Sequence, residues 1–170
     1  HEDAIALCGQ LLIYPVAESI TSDDQTTWTV TLRDGWTFHD GTPVTAQSFV
    51  DAWNWGAFGP NGAGNNYFFG PYGVNIVGYD ALNPSEGKPD AKELEGLTVV
   101  DDRTFTVELG APFSEFPITV GYNAFYPLPP SFFEDSDAFN EAPVGNGPYM
   151  MDGSWEHDQG ISTVRYEDYA

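Results

Sequence analysis

The chain has 170 residues, 26 of them acidic and 5 basic, for a net charge of −21. Nucleic-acid binding draws on cationic surface that displaces counterions, so that class is set aside, and attraction to anionic membrane surfaces with it. Hydrophobic residues at 41% and aromatics at 15% argue against disorder, while 18 Gly and 13 Pro promise many turns and few long helices.

The first part of the chain says little. Cys8 has no second cysteine to pair with. The run Ile5-Ala6-Leu7-Cys8-Gly9 faintly resembles a lipoprotein cleavage site, but Leu7 is too bulky for the small residue expected there and no apolar region precedes it. Cys8 is therefore read as a buried small thiol. Leu11-Leu12-Ile13-Tyr14 is an apolar run stopped by Pro15, and its periodicity does not separate helix from strand.

From Thr27 the pattern sharpens. Trp28, Val30 and Leu32 alternate with Thr27, Thr29, Thr31 and Arg33, as in a half-buried strand. Asp34-Gly35 and Asp40-Gly41 predict turns on either side of an extended Trp36-Thr37-Phe38. Ala46, Phe49, Val50 and Trp53 then fall at helical spacing, with Thr45 as N-cap and an end near Gly56. Residues 56–73 read as a loop rich in Gly, Asn and aromatics, and 80–96 as a surface excursion. Leu97–Val100 and Thr104–Leu109 predict a hairpin, with Phe105, Val107 and Leu109 on one face. A short helix near Ser114 carries Pro117 in its first turn, and Pro130 opens another over Ser131–Glu134. Pro148–Met151 and Ile161–Tyr166 predict two last strands turning at Asp152-Gly153. The pattern is α+β: a mixed sheet built from hairpins, with short inserted helices.

Chemistry is sparse. The histidines are His1, His39 and His157, and His39-Asp40 and Glu156-His157-Asp158 are the only local clusters, so no metal site or cofactor is expected. His39 is expected to hydrogen-bond within its own turn. There is no Gly-x-Ser-x-Gly elbow, and the glycines of Gly59–Gly64 do not make a phosphate loop. No pair among the many carboxylates is marked as an acid–base couple. The loop aromatics Trp55, Phe58, Tyr67, Phe68, Phe69, Tyr72, Tyr122, Phe125 and Tyr126 either fill the core or line a groove oriented by Asn65, Asn66, Asn123 and Asn146.

Several stretches together resemble one family. Ala17-Glu18-Ser19-Ile20, Ser22-Asp23-Asp24, Thr27–Gly35 and Phe38-His39-Asp40-Gly41-Thr42-Pro43-Val44-Thr45-Ala46 look like the N-terminal signature of the oligopeptide/dipeptide/nickel-binding solute-binding proteins, family 5, of ABC importers. Leu94–Asp102 with Thr104–Val107, then Phe125-Tyr126-Pro127-Leu128-Pro129 and Gly145-Asn146-Gly147-Pro148-Tyr149, continue it in the family's order. Asn146 stands where many relatives have Thr, and the stretch Leu11–Val16 is shorter than theirs.

The resemblance implies a periplasmic-binding-protein-like fold (type II, cluster C) present as a partial chain. Residues 1–26 would start lobe I, 27–145 would form its inserted subdomain, and 146–170 would return toward lobe I, with the second lobe absent. It implies a binder of oligopeptides or dipeptides and not an enzyme. The binder is placed at the extracellular face of the membrane or in the periplasm, acts as a monomer with ABC permease subunits, and reaches the membrane only through an anchor outside this chain. A sugar- or metal-chelate-binding or signalling module of the same fold is the alternative, and a carboxylate-based hydrolase comes third. Carried over residue by residue, the ligand-facing positions are Asn66, Tyr67, Tyr122 and Asn123.

Overall fold

A computed structural model describes residues 16–169. Cys8 and the Leu11–Tyr14 run lie outside them.

The core is one four-stranded antiparallel sheet with strand order β1-β2-β4-β3, made by β1 (Ala17–Thr21), β2 (Thr27–Leu32), β3 (Leu97–Asp101) and β4 (Thr104–Glu108). The register aligns the two alternating patterns. Trp28 opposes Val107 and Val30 opposes Phe105, so every bulky side chain of β2 and β4 falls on the same buried face. Thr29–Thr106 and Thr31–Thr104 pair on the other face. Burying one side chain such as Phe105 contributes about 1.5–3 kcal/mol. β1 and β2 form an antiparallel hairpin joined by residues 22–26.

The predicted helix is α1 (Ala46–Ala57), and it covers that buried face. Thr45 and Ser48 cap it reciprocally, satisfying amides that the first turn leaves open. Phe49 stacks on Phe105 at 5.7 Å, Trp53 meets Phe105 edge-on at 5.5 Å, and Trp53 Nε1–H donates to the Phe125 carbonyl at 2.9 Å. Arg103, in the β3–β4 turn, donates to the Leu32 carbonyl at 2.9 and 2.7 Å and meets Glu18 at 2.9 Å, tying the two hairpins together.

The excursion at 80–96 is pinned at both ends. α2 (Tyr79–Leu82) buries Leu82, and Leu94 is buried with its N–H on Asn54 Oδ1 at 2.7 Å. The short helices α3 (Phe116–Thr119) and α4 (Pro130–Glu134) form where proline can open a turn. α5 (Ser136–Glu141) was not legible in the apolar pattern; it is started by Asp135, whose carboxylate accepts from the Ala138 N–H.

β5 (Tyr149–Met151) and β6 (Thr163–Arg165) pair as expected but are shorter, and Asp152-Gly153 does not join them directly. The intervening chain makes its own turn, with a Glu156–Gly160 bridge. It is held to α5 by a His157–Glu141 contact of 2.8 Å and by the Trp155 N–H on the Glu141 carbonyl.

His39 departs from expectation. Asp40 satisfies the turn, accepting from Thr42 N–H and Oγ1–H at 2.9 and 2.6 Å. The His39 ring instead crosses to a segment 106 residues away. Its Nδ1 accepts the Gly145 N–H at 3.2 Å, and its Nε2 lies 2.9 Å from the Gly147 carbonyl. With Nδ1 accepting, Nε2 carries the proton and donates. The His39 N–H donates to the Gly145 carbonyl at 2.8 Å, and Tyr166 stands edge-on to the ring at 5.0 Å.

Candidate functional site

α1 stops at Phe58, and the chain enters a loop broken by two short 3-10 turns, Gly59–Asn61 and Asn66–Phe68. The second turn sets Tyr67 and Phe68 side by side, their rings 4.6 Å apart and tilted by only 28°. Tyr122 comes from the segment after α3 and covers the Phe68 ring at 4.6 Å and 32°. The outcome is a three-ring stack with Phe68 in the middle, about the spacing that aromatic faces prefer. Tyr67 and Tyr122 remain 45% and 46% exposed.

Two of the four residues picked from sequence thus meet on opposite sides of Phe68. Asn66 and Asn123 each adjoin one of the outer tyrosines in the chain. Asn66 Oδ1 faces the Tyr79 hydroxyl at 3.4 Å, and Asn123 is exposed at the start of the 3-10 turn Asn123–Phe125. Phe68 counted among the loop aromatics, but nothing in its spacing marks it as the central ring. The remaining aromatics divide by environment. Phe69 and Phe125 are core, packed on each other at 5.0 Å, whereas Tyr72 is 92% exposed.

Next to the stack lies an apolar cleft of about 310 Å³. Its walls include Ile20, Val30 and Leu32 from the sheet, Phe49 and Trp53 from α1, and Phe125. Tyr126 and Pro127 line it from the segment that carries Tyr122, and Asn146, Gly147 and Pro148 from the segment clasped by His39. A cleft of this volume and lining suits a small, largely apolar group. Asn146, read as a turn residue, is also part of this wall.

The perturbed carboxylates lie elsewhere, in turns of the sheet. The Thr27 and Thr26 N–H groups, with the Ser22 hydroxyl, hold Asp24 far below the usual carboxylate range. The Arg103 N–H, the Thr104 hydroxyl and the Arg103 charge lower Asp101. Both are structural. Among the described residues, no group of three or more His, Cys, Asp or Glu side chains is placed to hold a metal ion, and no helix is long and apolar enough to cross a membrane.

Three similarities bear on identity. The chain is 34% identical over 155 residues to the dipeptide-binding protein DppE of Bacillus subtilis, covering 87% of this chain and 26% of that protein. The structure of the Escherichia coli murein tripeptide-binding protein MppA superposes with a TM-score of 0.79 at 28% identity, over 91% of this chain and 30% of that one. The substrate-binding domain of an oligopeptide ABC transporter from Bacillus anthracis superposes with a TM-score of 0.78 at 28% identity, over 96% and 34%. This chain therefore spans about a quarter to a third of the length of these relatives. All three are binding proteins by name, and the fold they share is that of periplasmic peptide-binding proteins. The sequence model described as "Bacterial extracellular solute-binding proteins, family 5 Middle" matches residues 12–170. The chain belongs to the family 5 bacterial extracellular solute-binding proteins.

Proposed function

We propose that this chain is part of the solute-binding component of an ABC importer, which captures oligopeptides or dipeptides outside the cell and hands them to permease subunits. The observation that carries the reading is the exposed Tyr67–Phe68–Tyr122 stack, flanked by Asn66 and Asn123, in a chain whose relatives are named for peptide binding. Ring faces take apolar or flat groups of many shapes, and Asn amides supply both a donor and an acceptor to a peptide backbone. Such a surface orients a ligand without demanding one side chain. No covalent chemistry is asked of it.

In this reading, residues 27–145 form the inserted subdomain of the first lobe and 146–170 lead back into that lobe. A second lobe closes over the ligand, and closure is a population shift driven only by contacts stronger in the closed state. The protein works as a monomer at the extracellular face of the membrane or in the periplasm.

Native mass spectrometry of the full-length gene product purified from its host tests the assignment. Co-purifying peptides are expected; a bound sugar or metal chelate in their place overturns it. The 170-residue chain by itself presents only one wall of such a site, so it is expected to bind peptide weakly, and micromolar affinity in a titration would contradict the two-lobed mechanism.

A further inference from the structure

Charge and burial are unevenly spread along the chain. Residues 134–168 hold nine carboxylates and a single Lys or Arg, Arg165, whereas residues 16–133 hold fifteen carboxylates and four basic side chains in more than three times the length. All nine are exposed. Asp135 caps α5, Glu141 meets His157 at 2.8 Å, and Glu167 stands 3.9 Å from Arg165. Glu134, Asp137, Asp152, Glu156, Asp158 and Asp168 have no ion-pair partner among the described residues.

Little burial opposes that charge. Tyr166 is the only buried side chain of the stretch. β5 and β6 form a sheet of their own, and two strands alone are marginally stable in water. The stretch is fastened to the four-stranded unit at few points. The Tyr166 hydroxyl donates to the Phe38 carbonyl at 3.0 Å and lies 2.6 Å from Thr37 Oγ1, and His39 clasps Gly145 and Gly147. At the other end Phe139 packs on Phe132, which in turn meets Trp55 of α1. Asn146, Gly147 and Pro148, one wall of the cleft, belong to this stretch.

We propose that residues 134–168 are a salt-dependent element: cations in solution keep it docked by screening its carboxylates, and at low ionic strength like-charge repulsion loosens it from the sheet unit, together with the cleft wall it carries. Charge in excess of one sign works against a compact state. Two like charges about 10 Å apart in water shift an equilibrium about twofold. That repulsion reaches about 30 Å at about 0.01 M salt and about 3 Å at about 1 M. The undocked chain relieves it by spreading its carboxylates apart. A segment with so few buried contacts opens before the sheet does. The attractive contacts Arg165–Glu167 and His157–Glu141 are exposed, and such pairs offset little. None of this depends on which ligand the protein takes.

Hydrogen exchange of the full-length protein, at one pH and in NaCl of about 1 M and about 0.01 M, tests this. The reporters are the Asp152 N–H, bonded to the Ser162 carbonyl at 2.9 Å, and the Tyr166 N–H, bonded to the Pro148 carbonyl at 2.9 Å. On going to low salt they are expected to lose about tenfold in protection, the effect of three or four like pairs, while the β2–β4 amides change less than about twofold. Sucrose, which does not screen charge, is expected not to restore them. A variant with Glu134→Gln, Glu156→Gln, Asp158→Asn and Asp168→Asn neutralises four of the unpaired carboxylates and leaves Asp135 and Glu141, which hold α5, in place. Asn suits the positive φ of 63° at position 158. In this variant the loss is expected to shrink to about threefold. Equal reporter protection at both salt concentrations overturns the proposal. So does a loss shared equally by the sheet amides, full recovery in sucrose, or an undiminished loss in the folded variant.

Discussion

Replacing His39 with Ala probes the join between two distant parts of the chain. The substitution removes the Nδ1 contact with the Gly145 N–H, the Nε2 bond to the Gly147 carbonyl and the edge contact with Tyr166. It leaves the backbone bond from the His39 N–H to the Gly145 carbonyl in place. Each side-chain hydrogen bond contributes about 0.5–1.5 kcal/mol net, and the ring contact about as much. His39 is only half-buried, so the lower part of each range applies and the sum is about 2 kcal/mol. His39→Asn can still accept from the Gly145 N–H but does not reach Gly147, so about half of that loss is expected. Urea unfolding of the 170-residue chain gives the totals. Hydrogen exchange gives the location: the Gly145 amide should lose protection well before the sheet amides do. A His39→Ala change within about 0.5 kcal/mol, the range of an ordinary surface substitution, would refute the clasp, as would loss of protection spread evenly over the chain.

Three other outcomes follow from the packing and the charges. Because the native Asp24 carboxyl is depressed, its contribution is fully present above the unfolded Asp value of about 3.9 and is lost as pH falls through the native value. NMR shifts of the Thr26 and Thr27 amides, which donate to it at 2.8 Å, should stay flat down to about pH 4 and move only in stronger acid; a midpoint near 3.9 counts against the turn. Gly70→Ala places a Cβ 2.4 Å from the Tyr79 ring, whereas Gly64→Ala meets nothing within 4 Å. Thermal melts should show a loss of about 1–3 kcal/mol for the first and little change for the second, and equal effects would contradict the described loop. Trp53→Phe removes the N–H that satisfies the buried Phe125 carbonyl and leaves a void, for about 2–4 kcal/mol; a cost under about 1 kcal/mol in chemical denaturation would mean that the carbonyl finds another donor.

The elements legible in the sequence are those in which one local rule governs several consecutive residues. β2 and β4 alternate strictly, and the 46–57 helix has both an N-cap and a stripe at helical spacing. Elements set by distant partners are not legible in this way. β1 is a strand because it pairs with β2, and its own sequence, Ala-Glu-Ser-Ile-Thr, carries no strong alternation. α5 is amphipathic only weakly and depends on the Asp135 cap. For the site, residue type offered nine loop aromatics and four Asn, and only the family resemblance singled out Tyr67, Tyr122 and their neighbouring amides. The stacking order did not follow, because Phe68 and Tyr122 are brought together only by tertiary packing. His39 is the sharpest case: its neighbour Asp40 does the turn's work, which frees the imidazole for partners that no local pattern announces.

The two outer strands of the sheet share one irregularity. β1 shifts register between Ala17 and Ser19, and β3 between Val99 and Asp101, while the inner β2–β4 ladder is regular. An unpaired, flat strand edge is a template on which a second chain can add its own strand, and a bulge twists that edge out of line. Among the described residues, both outer edges of this sheet carry one. Glu18 and Asp101 lie at the same places, each beside Arg103, so a strand arriving at either side meets broken spacing and charged side chains together. Such bulges disfavour edge-to-edge pairing with a second chain.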